Sequence, residues 1–286
     1  MPQLFPIAAI TDEFAPDVDT AVRSMSQIGM TAAELRMVSG KNVIDLTDDE
    51  LDRVKQTVAD RGMKVISIAS PLLKCTLPDA PEVDSRFQQD MFAAKYSFED
   101  QPQLAKRAFE IARRMGAPIV RVFSYWRTIE PEKCFDRIVE ALARLADDAG
   151  QQELTIGLEN EHACNIATAA ETARVLRALD HPNLKVVWDP ANALVSGEVP
   201  FPGGYRQIAP ERIVHVHAKD CHMDGLRPVW GPLGEQGIDW KGQIRALADD
   251  GYKGYISLET HWPGPGGNKH EASMICGRNL KALVAA

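Results

Sequence analysis

Four short apolar runs in this sequence each stop at a side chain that can bind a metal ion: residues 154–160 at Glu159, 184–189 at Asp189, 213–220 at His217 and 255–260 at Glu259. The residue before each of these is apolar: Leu158, Trp188, Val216 and Leu258. Side chains alternate faces along a strand. If the apolar set faces covering helices, the three carboxylates and the imidazole face the other way together. That donor set suits one divalent cation per chain, Mn²⁺ in first place, with Mg²⁺, Co²⁺ or Zn²⁺ as alternatives. An octahedral ion so held keeps positions for the oxygens of a hydroxy-ketone or diol. Such an ion acidifies the C–H beside a carbonyl, and a carboxylate within reach can move that proton.

A single glutamate at a strand end is more often a solvated rim residue, and a single histidine on an apolar strand is more often a satisfied core residue. The recurrence of such residues at the same place in consecutive runs favours a shared site. His215 lies on the same face as His217 but one layer deeper, and is read as a supporting residue.

The positioning elements read as strands alternating with helices. Strands are expected at residues 4–10, 31–37, 64–70 and 118–125, followed by the four runs above. Helices are expected at 17–28 before Gly29, 47–61 with Leu51, Val54 and Val58 on one stripe, 104–115 before Gly116, 131–148, 168–179, 239–250 and 269–284. The Pro/Gly-rich residues 200–205 replace a regular helix start, so the sixth helix is expected to be short. Residues 71–81 read as a loop over the barrel mouth, the stretch up to 102 as irregular or broken helix, and 221–237 as a loop. Eight such units in succession predict an α/β fold, a (β/α)8 TIM barrel with a parallel eight-stranded core, forming one domain over residues 1–286. An open doubly wound sheet is the rival, but Ile10-Thr11-Asp12-Glu13 lacks the glycines of a phosphate-binding turn.

The chain has 286 residues and a formal net charge of −8, which argues against nucleic acid as a partner. Arg36, Lys74, Arg121 and Lys219 lie near strand ends and can together hold a carboxylate or phosphate of a small substrate. Five cysteines are scattered without a C-x-x-C pair, which reads as free thiols in a reducing, cytoplasmic setting. The first residues lack a signal-peptide pattern, and no apolar stretch approaches membrane-spanning length. A homo-oligomer is left open.

Gly157-Leu158-Glu159-Asn160, Trp188-Asp189-Pro190-Ala191-Asn192, His215-Val216-His217-Ala218-Lys219-Asp220 and Leu258-Glu259-Thr260-His261 resemble the motifs of the sugar phosphate isomerase/epimerase family, the xylose isomerase-like barrels. The resemblance implies that Glu159, Asp189, His217 and Glu259 ligate the metal. It also implies that Glu159 and Glu259 exchange protons with the substrate from opposite faces. Arg36, Lys74, His162, Asn192, Lys219 and His261 are the accompanying candidates for substrate contact, with Trp126, Trp230 and Phe201 as pocket walls. The expected activity is isomerisation or epimerisation of a sugar, polyol or sugar phosphate, and the alternative is a keto-sugar or inosose dehydratase. Where ketose 3-epimerases of the family carry His, Glu and Arg, this chain has Asn192, Asn165 and Met223, so its substrate-holding set differs. An abasic-site nuclease, which shares the barrel, would need histidines from early strands, and the first histidine here is His162. A non-catalytic carbohydrate-binding protein is the remaining competitor.

Overall fold

Each barrel strand sends one set of side chains outward under a helix and the other set into the barrel. The computed structural model describes residues 3–87 and 95–285. The barrel strands are β1 (Ile7–Ile10), β2 (Ala32–Leu35), β3 (Lys64–Leu72), β4 (Ile119–Val122), β5 (Thr155–Glu159), β6 (Leu184–Trp188), β7 (Ile213–Ala218) and β8 (Ile256–Leu258). They close in the order β1-β8-β7-β6-β5-β4-β3-β2, and every neighbouring pair is parallel. Outside them lie α1 (Val18–Ile28), α2 (Asp48–Ala59), α3 (Gln101–Met115), α4 (Phe135–Gly150), α5 (Ala169–Ala178), α6 (Pro190–Val195), α7 (Trp240–Asp249) and α8 (Lys269–Leu283).

Local signals set the helix ends. Thr47 with Glu50, and Thr168 with Glu171, form capping boxes at α2 and α5, which satisfy otherwise orphaned N–H groups. Gly29 and Gly116 end α1 and α3 at φ 96° and 74°, a left-handed conformation that costs glycine little. Leu158, Trp188, Val216 and Leu258 face outward into the core beneath the helices, and Trp188 Nε1 donates to Gln243 Oε1 on α7 at 3.0 Å. Inside the barrel, the buried side chains of Glu34, Ser67, Arg121, His215 and Ser257 make a polar middle layer.

Three details differ from the sequence-based expectations. Helix α3 begins at Gln101 rather than residue 104, with Pro102 in its first turn, where the missing N–H costs nothing. The sixth helix is short as expected, but it starts at Pro190 directly after β6 and is capped by Asp189. The expected loop at 221–237 opens with an antiparallel hairpin, Cys221–Asp224 against Arg227–Trp230, and Gly225, the first of its two turn residues at φ 58°, is the local signal for it. Within the stretch expected to be irregular or broken helix, Ser85–Phe87 forms a 3-10 turn, and residues 88–94 lie outside the described residues. Among the described residues, no helix is long and apolar enough to cross a membrane. The five cysteines are buried and unpaired.

Gly157 lies two residues before Glu159 on β5 and so shares its inward face. A Cβ there would stand 2.7 Å from Val187 Cγ2 and 3.3 Å from Ile119 Cγ2. Gly157→Ala is expected to destabilise the protein by about 1–3 kcal/mol through overpacking, read as a lower denaturation midpoint. An unchanged midpoint would refute this.

Candidate metal centre

The strands β5, β6, β7 and β8 are successive neighbours in the barrel wall, so their C-terminal ends meet over one region. Glu159 ends β5, Asp189 follows β6, His217 is the next-to-last residue of β7, and Glu259 follows β8. Ligand atoms from all four lie within 4.8 Å of one another, and all four side chains are buried. His217 Nδ1 is 3.1 Å from Glu159 Oε1 and 3.4 Å from Glu259 Oε2. Asp189 Oδ1 accepts from the Asn192 N–H at 2.9 Å as the α6 cap, which leaves Oδ2 to the cluster. Asn160 fixes this turn: its Oδ1 accepts from Asp189 N–H and its Nδ2 donates to Asp189 O, both at 2.8 Å.

Cations surround the carboxylates. Lys219 Nζ is 2.9 Å from both Asp189 Oδ2 and Glu259 Oε2. By strand alternation Lys219 falls on the face of His217. Arg36 Nη1 reaches Glu259 Oε1 at 2.8 Å, while Nη2 meets Asp12 at 2.8 Å and Glu13 at 2.6 Å. Arg121 Nη1 is 3.3 Å from Glu159 Oε2.

Burial opposes charge on Lys219 and His217, but the carboxylates around them outweigh it and hold both well above their ordinary values. Burial likewise opposes ionisation of Glu259, yet Lys219 and His217 hold its carboxyl well below the usual range. At Asp189, burial and repulsion from Glu159 and Glu259 win over Lys219 and push the carboxyl up to about 6.

The donor set fits a divalent cation. Glu159 Oε2 and Asp189 Oδ2 are buried and accept no hydrogen bond, so that only the ion pairs with Arg121 and Lys219 face them, although buried polar atoms normally find a hydrogen-bond partner. A cation also has to displace a proton here, because the surrounding carboxylates hold the His217 ring charged above the ordinary imidazole range. Divalent-cation affinity is therefore expected to climb with pH from about 5 to 8 without levelling off near the usual imidazole value. Calorimetric titrations at several pH values would read this, and a pH-independent affinity would contradict it.

The remaining expected site residues divide into two groups. Arg36, Asn192, Lys219 and His261 touch the cluster. Asn192 Nδ2 donates to Glu159 Oε1 at 3.3 Å and to Glu161 Oε2 at 3.4 Å. His261 Nε2 is 4.0 Å from Glu259 Oε1, with its ring 4.6 Å from that of Trp230, which the hairpin carries to the site. His162 and Lys74 stand one step away, around Glu161. His162 Nδ1 is 2.9 Å from Asn192 Oδ1. Lys74 Nζ lies 4.6 Å from the Phe123 ring centre and 5.5 Å from that of Trp126. Burial opposes ionisation of Glu161, but Lys74 and His162 hold its carboxyl well below the usual range.

Arg36, expected as a substrate contact, has its guanidinium bound to the carboxylates of Asp12, Glu13 and Glu259. Two further expectations need correction. Asn165 is structural: its Nδ2 donates to Ser124 O at 3.1 Å and Trp126 O at 3.0 Å, and its Oδ1 accepts from Thr128 N–H at 3.0 Å. Phe201 packs on Tyr205 and beside Gly242 of α7 rather than at the site. Sequence reasoning missed Glu34, Glu161 and the Asp12–Glu13 pair. Glu161 alone carried a local signal, since it lies two residues after Glu159 and again faces the same way.

A family model described as a xylose isomerase-like TIM barrel matches residues 22–279, and the chain belongs to that family. It is 26% identical over 165 residues to an inosose dehydratase of Lacticaseibacillus casei, covering 52% of this chain and 55% of that protein. It is 29% identical over 146 residues to a D-psicose 3-epimerase of Ruminiclostridium cellulolyticum, covering 48% and 47%. The matches thus span about half the length of these curated relatives. A solved xylose isomerase-like TIM barrel protein from Mycobacterium smegmatis, in complex with magnesium, shares the fold at TM-score 0.69 and 18% identity over 100% of both chains.

Proposed function

We propose that this chain is a divalent-metal-dependent enzyme that moves a proton at the carbon beside the carbonyl of a polyhydroxy ketone. We take it to act as an isomerase or epimerase on a sugar, polyol or sugar phosphate. The observation that carries this is the convergence of Glu159, Asp189, His217 and Glu259 within 4.8 Å, with the two glutamates on the outer strands of the four. These four residues would hold the ion, with Mn²⁺ or Mg²⁺ preferred because oxygen donors predominate. When bound, the ion supplies Lewis acidity to the substrate's carbonyl oxygen.

The chain's own residues do the rest. Glu159 and Glu259 approach from different sides of the cluster, so one takes the proton from carbon and either can return it. Arg36 and Lys219 hold Glu259 in place through both of its oxygens. Lys74, His162, Lys219 and His261 line the approach and offer donors to substrate hydroxyl or phosphate groups, while the Asn192 amide is taken up by Glu159, Glu161 and His162. The same reading takes the chain as one cytoplasmic barrel domain with a carbohydrate substrate and no nucleic acid, supported by its net charge of −8 and its buried free thiols.

A dehydratase is the second reading. It is supported by the inosose dehydratase among the relatives. Lys219 Nζ, 2.9 Å from two site carboxylates, is also placed to give a proton to a departing hydroxyl. Incubating the metal-loaded protein with hydroxy-ketones and inososes, followed by isomer-resolving chromatography, separates the readings. New isomers of unchanged mass support the first, and loss of water supports the second. No conversion of any hydroxy-ketone or inosose would count against both.

Free fructose and tagatose are expected to be poor substrates. Asn192 replaces a histidine of the 3-epimerases and is already bonded to Glu159, Glu161 and His162. Efficient 3-epimerisation of either sugar would contradict this.

A further inference from the structure

A further carboxylate lies beneath the cluster. Glu34, on β2, is fully buried in the barrel. Its Oε1 accepts from Ser67 Oγ at 2.8 Å, and its Oε2 accepts from Ser257 Oγ at 3.0 Å. The same Oε2 lies 3.0 Å from His215 Nε2 and 3.1 Å from His217 Nε2. A carboxylate this far from water persists only when hydrogen bonds satisfy it, and donors from β3, β7 and β8 do so. One of them is the ring whose other nitrogen faces the cluster.

We propose that Glu34 is a positioning residue for the metal centre. By accepting the Nε2–H of His217, it keeps that ring's proton away from the cluster and presents the Nδ1 lone pair to the ion. The proposal rests on the metal-dependent reading above.

Acceptors on both edges of the His217 ring compete for one proton. A neutral imidazole carries a single N–H, and its other nitrogen is the ligand. Glu159 Oε1 at 3.1 Å and Glu259 Oε2 at 3.4 Å both draw the proton of His217 toward Nδ1, which would block ligation. Glu34 is the acceptor on the opposite edge, and its carboxylate is held still by Ser67 and Ser257. His215 stands edge-on to His217 with ring centres 5.3 Å apart and shares the same carboxylate oxygen, which fixes the plane as well as the tautomer. Glu34, His215 and His217 are also close enough to hold an ion themselves. That would need lone pairs on both Nε2 atoms, and would leave the Nδ1 of His217 protonated against Glu159.

The test uses protein labelled with ¹⁵N in its histidines and long-range ¹H–¹⁵N spectra, without metal and with Zn²⁺. In wild type, the His217 Nε2–H is expected to be protected from exchange in the metal-free protein. It should persist when Zn²⁺ is added, while only Nδ1 shifts. In Glu34→Gln that proton is expected to exchange with water so that its signal vanishes, and Zn²⁺ affinity to fall by about 10- to 100-fold. Glu34→Asp keeps an acceptor of shorter reach, so it should give a smaller loss in the same direction, and it carries the test if the glutamine variant does not fold. A merely structural role would lower the melting temperature without exposing the Nε2 proton of His217 to exchange. Wild-type Nε2–H signals and wild-type Zn²⁺ affinity in the folded variants would overturn the proposal, as would two ions per chain with both Nε2–H signals lost. If wild type binds no divalent cation, the metal reading fails by itself. The metal-free spectra then still decide: loss of the Nε2–H signal in the variants supports Glu34 as its acceptor, and persistence overturns it.

Discussion

His217→Ala is expected to weaken divalent-cation binding by more than about 100-fold, because even the outer partners of a metal ligand command about 10- to 100-fold. His217 Nδ1 lies between the two outer glutamates at 3.1 and 3.4 Å, and its removal takes the only nitrogen from the donor set. The substitution also strips one donor from buried Glu34, which costs about 1–3 kcal/mol of stability by leaving an acceptor less satisfied. Calorimetric titration with Mn²⁺ reads the first effect, and denaturant unfolding of the metal-free protein reads the second. A variant that binds Mn²⁺ as wild type does would remove His217 from the centre.

The second large effect is expected at Glu259. Its carboxylate is anchored by Arg36 at one oxygen and Lys219 at the other, at 2.8 and 2.9 Å. Against the opposing effect of burial, Lys219 and His217 hold its carboxyl below the usual range, which makes it a weaker base. A weak base suffices once the carbon acid itself has been strengthened. Glu259→Gln keeps an oxygen for the cation and nearly the same shape, but an amide cannot take the proton. On whichever hydroxy-ketone the chromatographic screen identifies, turnover should fall by about 10²- to 10⁴-fold while part of the Mn²⁺ affinity remains. Exchange of the substrate's carbon-bound hydrogen in D₂O should fall with it. Near-normal exchange in both Glu259→Gln and Glu159→Gln with metal bound would rule out the two-carboxylate mechanism.

The parts of this molecule legible in the sequence are those fixed by short-range chemistry. Capping residues such as Thr47 and Thr168, stop glycines such as Gly29, and the two-residue alternation of the strands all act within a few positions. The four cluster residues were legible because each closes an apolar run, and because successive strands of a parallel barrel are neighbours. Lys219 was legible for the same reason, two residues after His217. Glu34 was not, because its histidine partners are 181 and 183 positions away and Ala32-Ala33-Glu34-Leu35 gives no sign of what lies across the barrel. Arg36 reads as an open cation near the mouth until Asp12, Glu13 and Glu259 are seen around it. Asn165 lies near the motif but turns its amide into loop backbone, and no spacing rule reports the direction of a loop side chain.

The central claim is that one divalent ion sits among Glu159, Asp189, His217 and Glu259. Anomalous diffraction from crystals soaked in Mn²⁺ tests it most directly. The account predicts a single strong peak within bonding distance of a carboxylate oxygen from each of the three acids and of His217 Nδ1. A peak placed instead against Glu34 and His215, or no peak at all near the ends of β5 to β8, would contradict it.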